Sequence, residues 1–299
     1  MPRPHLMDQR WEDAVFLHWR IPVPAAAARM PPGVRADVVD GSAWAGLVGF
    51  RMQRIRLGAA VPLPYWGSFP EINVRLYSRE PDGTRAVVFL SLDAPRLAVV
   101  LGARAAGLPY VWSQCRAAAP DGADPSYGYD VVRRRGRTTS SFAVHPDRAV
   151  RADDELSLEL TARFGLHSRF AGRTVHVPVS HEPWPLHPAA VAHLEDGLLA
   201  AAGLDVDGPP ESVLFSPGTV RRTAPARAPS AAVRVLRPPD RAARYPTAPQ
   251  EWAGPERAGG PGWNQLPQER PGGLRSRSLP EPLTAGTVPP GEPHAKGPP

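Results

Sequence analysis

The sequence predicts an α+β protein: a curved, largely antiparallel β-sheet closing toward a barrel around an internal pocket, with a few packed helices. Three observations carry this expectation. Apolar residues recur with a period near two in several segments, as in Ile72-Asn-Val-Arg-Leu-Tyr77, the pattern of a half-buried strand. Turn dipeptides such as Asp40-Gly41, Asp82-Gly83 and Arg135-Gly136 punctuate these segments. Helical stretches are few and do not alternate with single strands, so repeated strand–helix units are excluded.

Taken in order, Trp11 to Trp19 is apolar with scattered charge, and Ile21-Pro-Val-Pro24 follows it. Val23 to Met30 suits a short helix, favoured by its alanines and ended by Pro31-Pro32-Gly33. Ala43 to Phe50 reads as a strand that continues to Arg56, and Leu57 to Pro70 as a Gly/Pro loop. Ile72–Tyr77 and Ala86–Leu92 form a hairpin about Pro81-Asp-Gly83. Asp93 suits the N-cap of a helix from Ala94 to Ala106, which Gly107 ends. Tyr110 to Arg116 resumes strand, and Tyr127 to Val144 is a second hairpin. Asp153-Asp-Glu155 begins a helix to about Phe164, with acids at its positive end. Arg169 to Ser180 reads as a hairpin about Gly172, Pro188 to Ala202 as a helix, and Val213-Leu-Phe215 as a last strand.

Composition divides the chain into a domain at 1–220 and a Pro/Gly/Arg-rich tail at 221–299. The first part balances 23 Arg against 23 acids, so the whole formal charge of +6 belongs to the tail. The tail holds 17 of the 39 prolines and no Phe or Ile, too little apolar bulk to offset chain entropy, and is expected to be disordered. Its like-charge runs are short, so nothing beyond weak nucleic-acid contacts is expected of it. The single cysteine, Cys115, excludes an internal disulfide framework and suits a reducing cytoplasm. No charged-then-apolar leader opens the chain and no ~20-residue apolar run interrupts it, so the expectation is a cytoplasmic protein without a membrane partner.

Phosphate loops, dinucleotide glycine fingerprints, the Gly-x-Ser-x-Gly elbow and paired cysteines are all absent from the sequence. His176, His181 and His187 lie close together, but Pro183 and Pro185 forbid the helix that a His-Glu metal motif needs. Neutral, hydrogen-bonded histidines are the expected reading, with no metal and no cofactor. Two constellations remain. Glu71, Asn73 and Arg75 occupy alternate positions, hence one face of a strand. They suit either a solvated ladder or a cavity wall that binds a carboxylate or polarises a carbonyl. Arg104 and Tyr110 flank the helix stop and the turn after it, where an exposed arginine and a core tyrosine are the alternative.

The motifs Arg10-Trp-Glu-Asp13, Asp40-Gly-Ser-Ala-Trp44, Phe69-Pro-Glu-Ile-Asn-Val-Arg75, Leu90-Ser-Leu-Asp93, Arg104, Gly107-Leu-Pro-Tyr110, His181-Glu-Pro-Trp-Pro185 and Phe215-Ser-Pro-Gly218 follow one another in order. Together they resemble the YqjF-like family of uncharacterised bacterial proteins over roughly residues 5–220. That family is in turn remotely similar to the acetoacetate decarboxylase-like superfamily, which implies a curved antiparallel sheet around a pocket. In those decarboxylases an arginine helix leads to Gly-Phe-Pro-Lys-Lys, whose first lysine forms the Schiff base. Here Tyr110 stands in its place and Val111 in that of the second lysine, while Glu71 matches a pocket glutamate. The chain's single lysine, Lys296, lies near the end of the tail. A phenol cannot form an iminium, so the resemblance implies the pocket without Schiff-base decarboxylation.

The expected function is a pocket for a small organic carbonyl or carboxylate ligand, lined by Glu71, Asn73, Arg75, Arg104 and Tyr110. The first alternative is an enzyme of enolisation, lyase or hydrolase type with Glu71 as acid or base and Tyr110 as oxyanion donor. The second is an interaction protein acting through its basic tail. A homo-oligomer is compatible with all three.

Overall fold

The structure is a computed structural model describing residues 7–57, 68–121, 124–179, 181–219 and 234–236. Its elements run β1 (Met7–Ile21), α1 (Val23–Ala27), β2 (Arg35–Ala36), β3 (Ala43–Leu57), β4 (Phe69–Arg79), β5 (Arg85–Ala94), α2 (Leu97–Ala105), β6 (Tyr110–Ala118) and β7 (Tyr127–Arg133). There follow β8 (Thr139–Pro146), α3 (Glu155–Thr161), β9 (Gly165–Phe170), β10 (Arg173–Pro178), β11 (His187–Asp196), α4 (Leu198–Ala201), β12 (Ser212–Thr219) and β13 (Arg234–Val235). The expected loop at 57–70 lies mostly outside the described residues, and so does the tail except for β13, which pairs with β10.

The strands close on themselves. Bonding passes from β5 through β6, β7, β8, β11, β12, β1 and β3 to β4, and β4 pairs back with β5. β9, β10 and β13 extend the sheet outward from β5, and β2 lies against β4. Every pairing is antiparallel except β5 with β6 and β5 with β9. Closure joins the two ends of the ring, so that among the described strands the sheet ends at β13 and β2.

Alternation then sorts side chains onto two faces. The interior is filled by Val15, Leu17, Leu47, Ile72, Val74, Leu76, Tyr129, Val131, Phe142 and Phe215, with Leu198 and Leu199 of α4 packed against them. At Gly49 a Cβ would lie 2.6 Å from the Tyr129 ring and 2.9 Å from Phe142, so glycine lets the opposite wall reach β3. The outer face carries Phe16, Val48, Phe50, Leu92, Tyr110 and Leu214, covered by Val100 of α2 and by Ala152 and Leu186.

Two expectations need correction. Pro188 to Ala202 is the strand β11 followed by the single turn α4, because pairing with β8 along Ala189 to Asp196 joins two walls of the ring and outweighs local helix propensity. Asp93 does not cap α2: β5 runs on to Ala94, the helix starts at Leu97 behind Arg96, and Asp93 is wholly buried. By contrast Asp154 does cap α3, its carboxylate accepting from the Ser157 amide at 2.9 Å.

Candidate functional site

Glu71, Asn73 and Arg75 on β4 lie opposite Phe50, Val48 and Gly46 of β3, which puts them on the outer face of the barrel wall. They are not a solvated ladder: Glu71 and Asn73 are buried. The Arg75 Nε donates to Asn73 Oδ1 at 2.8 Å, and its guanidinium lies over the Phe89 ring at 5.4 Å. Gly46 makes room for it, since a Cβ there would meet Tyr77 Oη at 2.8 Å and Arg75 Cγ at 3.1 Å.

Tyr110 reaches this group from β6. Its hydroxyl donates to Glu71 Oε2 at 2.7 Å. Burial pushes the Glu71 carboxyl up to about 7, against the downward pull of the Tyr110 hydrogen bond and the Arg75 charge; Asp93 adds a smaller upward push. The Tyr110 phenol is also raised well above its ordinary value, by burial first and by the Glu71 charge. A carboxyl balanced near neutrality against a phenolic proton can gain or give up a proton at modest cost. His18, on β1 beyond β3, is held neutral to about 3 by burial and by the charges of Arg75 and Arg163.

Arg104 stands apart from this buried group. Its side chain is on the exposed surface of α2, and its Nε donates to the Tyr110 carbonyl at 2.6 Å. It fixes the turn that presents Tyr110. Gly107 in that turn has φ +84°, and a Cβ on it would lie 2.5 Å from the Arg169 carbonyl oxygen, so glycine is required on both counts.

A second polar group occupies the barrel interior. The carboxylate of Asp93 accepts Ser113 Oγ at 2.6 Å and both Arg133 Nε and Nη2 at 2.9 Å, a bidentate buried pair. Two residues beyond Ser113 on the same face is Cys115, half-buried, whose thiol is pushed above its usual range by burial and by the Asp93 and Glu71 charges. Cys115 belongs to the wall of a cavity of about 450 Å³ at the barrel mouth, with Arg51, Gln53, Ser68, Phe69, Pro70, Arg116 and Ala117. Arg51 is anchored by Asp13, and Ser68 Oγ donates to Gln53 Oε1 at 2.7 Å. Another cavity, of about 300 Å³, lies by Arg20, Val23 and Ser42, away from both groups.

Thus Glu71, Asn73, Arg75 and Tyr110 converge, Arg104 supports them through the backbone, and the barrel-mouth cavity is walled by other residues. Ser113, Cys115, Arg133 and Arg51 escaped the sequence reading. The alternation of Ser113, Cys115 and Ala117 was a usable signal; the pairing of Arg133 with an aspartate forty residues earlier was not. The three neighbouring histidines do not assemble. His181 bonds the carbonyls of Glu182 and Arg163, His187 bonds that of Val150, and His176 faces β9 instead.

Comparison with known proteins agrees with this architecture. The model of the family DUF2071, described as an uncharacterized conserved protein, matches residues 8–220. The uncharacterized protein YqjF of Bacillus subtilis (strain 168) is 30% identical over 189 residues, covering 62% of this chain and 76% of that one. Among solved structures, the enduracididine biosynthesis enzyme MppR complexed with pyruvate superimposes with a TM-score of 0.53 at 16% identity, covering 80% of this chain and 92% of its own. Acetoacetate decarboxylase from Legionella pneumophila does so with a TM-score of 0.52 at 13% identity, covering 73% and 88%. At such identities the likeness is one of fold, and the fold is that of the acetoacetate decarboxylase-like proteins.

Proposed function

The chain belongs to the DUF2071 family of uncharacterized conserved proteins, and on that footing we propose that it binds a small organic carboxylate or carbonyl compound at the barrel mouth without covalent attachment. The observation that carries this reading is the lining of the 450 Å³ cavity: Arg51, held by Asp13, comes together there with Gln53, Ser68, Phe69 and Pro70. Guanidinium forks suit carboxylates, and the volume lies within the ~300–1,000 Å³ of small-molecule sites. MppR, which shares the fold, has been solved with pyruvate, a molecule that carries both groups. The phenol at position 110, hydrogen-bonded to Glu71, supports non-covalent binding, since it offers no amine.

Calorimetric titration of the full chain with pyruvate and with acetoacetate tests the proposal. Binding is expected to weaken in Arg51→Met and Gln53→Ala and to persist in Glu71→Gln, with no adduct after borohydride treatment. Indifference to both cavity substitutions would move the ligand elsewhere; a stoichiometric reduced adduct would refute non-covalent binding.

A second reading, an enzyme that moves protons on a small ligand bound at the Glu71–Tyr110 group rather than at the barrel mouth, is favoured by the Glu71 carboxyl near 7 beside the Tyr110 hydroxyl. It predicts exchange of the pyruvate methyl protons in D₂O, followed by NMR and lost in Glu71→Gln. Exchange no faster than in buffer eliminates this reading.

A further inference from the structure

We propose that Glu80, His167 and His176 form a binding site for a divalent transition metal of the Zn²⁺ type, a site that the sequence does not announce. The backbone builds it. β9 and β10 are antiparallel, and His167 lies directly opposite His176, so both imidazoles project from one face with ring centroids 5.2 Å apart. Glu80 follows the last residue of β4 at the turn into β5, and Ser78 precedes it by two, on the same side of the strand. All three groups are buried, and one ligand atom from each lies within 4.8 Å of the others.

The local chemistry suits a metal. His167 Nε2 is 3.1 Å from Glu80 Oε1, while its Nδ1 is 2.8 Å from Ser78 Oγ. Bond lengths of ~2.0–2.1 Å to a tetrahedral centre place ligand atoms roughly 3.3 Å apart, close to the Glu80–His167 spacing. An Nδ1–H donated to a neighbouring oxygen is the usual way in which a ligating histidine is held with Nε2 toward the metal. Two imidazoles and a carboxylate form a borderline-hard donor set that favours zinc over calcium or magnesium. Space is provided by Gly165: a Cβ there would lie 2.3 Å from His176 Nε2, so the imidazole occupies the volume of the missing side chain.

The metal would clip the β4–β5 turn to the β9–β10 hairpin. Among the described residues, the backbone register of that hairpin with β5 is the pair Val87 with Leu166. The site is separate from the Glu71 group and from the cavity at the barrel mouth, and it stands or falls without them.

The test uses the full chain, stripped with a chelator and titrated with Co²⁺ as a visible probe of geometry. One equivalent should bind with the absorption of a tetrahedral centre, be displaced by Zn²⁺, and raise the melting midpoint. Glu80→Gln and His176→Gln should weaken Co²⁺ binding by about tenfold or more. Gly165→Ala keeps all three ligands but displaces His176 and should weaken it as well; His181→Gln should leave it unchanged. Absence of a stoichiometric Co²⁺ complex in the unaltered chain overturns the proposal, whatever the variants do. So does equal binding by the unaltered chain, the Glu80 variant and the Gly165 variant.

Discussion

Glu71 and His18 are both buried against the outer face of the barrel, and burial acts on their protons in opposite senses. Folding raises the Glu71 carboxyl from its ordinary value of 4.5 to about 7. Between those values the native state holds a proton that the unfolded chain has released, so the contribution is intact below 4.5 and is lost as pH rises through 7. Folding lowers His18 from 6.5 to about 3, so between those values the unfolded chain holds the extra proton and stability is lost as pH falls. Each slope is at most about 1.4 kcal/mol per pH unit. Between pH 4.5 and 6.5 the two slopes oppose each other, so urea unfolding should show Glu71→Gln turning a nearly level profile there into one that rises with pH. A profile unchanged by the substitution would assign the titration to another group. Tyr110→Phe removes the hydrogen bond that lowers the Glu71 carboxyl, so a ¹³C NMR titration of that carboxyl should move upward from 7.

Between elements, two close approaches decide how the walls pack. Gly49→Ala would drive a methyl into the Tyr129 ring, which is also tied by its hydroxyl to the Asp13 carbonyl at 2.6 Å and cannot easily retreat. A loss of about 1–3 kcal/mol in denaturant unfolding is expected, the usual cost of overpacking. Asp37, next to β2, accepts Arg85 of β5 at 2.7 Å and the buried Arg163 that follows α3, joining three parts of the chain. Asp37→Asn should cost about 3–5 kcal/mol by leaving the Arg163 charge poorly compensated. Asp37→Asn with Arg163→Met should recover part of that loss, measured the same way. Elements with a strong local signal were legible: the period of two in Ile72–Tyr77 and the helix start at Asp153-Asp-Glu155 both stand. β11 was not, because Pro188-Ala-Ala-Val-Ala-His-Leu carries helix-forming residues and only β8, more than forty positions earlier, makes it a strand. Asp93 failed for a related reason, since the partners that let an aspartate enter the interior, Ser113 and Arg133, are remote in sequence.

For the molecule as a whole, closure of the ring follows from long-range pairing, β1 with β12 and β8 with β11, which alternation can suggest but whose register it cannot fix. The sheet class and the convergence of Glu71 with Tyr110 were accessible from the residues and their family likeness. The division of polar groups between two faces was not, because it depends on which face each strand turns inward once the ring is shut. That division has a practical consequence at Cys115, the one thiol among 299 residues, set in the wall of the barrel mouth. Its raised pKa leaves little thiolate at pH 8, so alkylation of the native chain should be slow, and much slower than in urea. An occupant of the cavity should slow it further, and the same concentration of ligand should leave the unfolded rate unchanged. The chain thus carries its own occupancy meter, read as the half-time of a single chemical label.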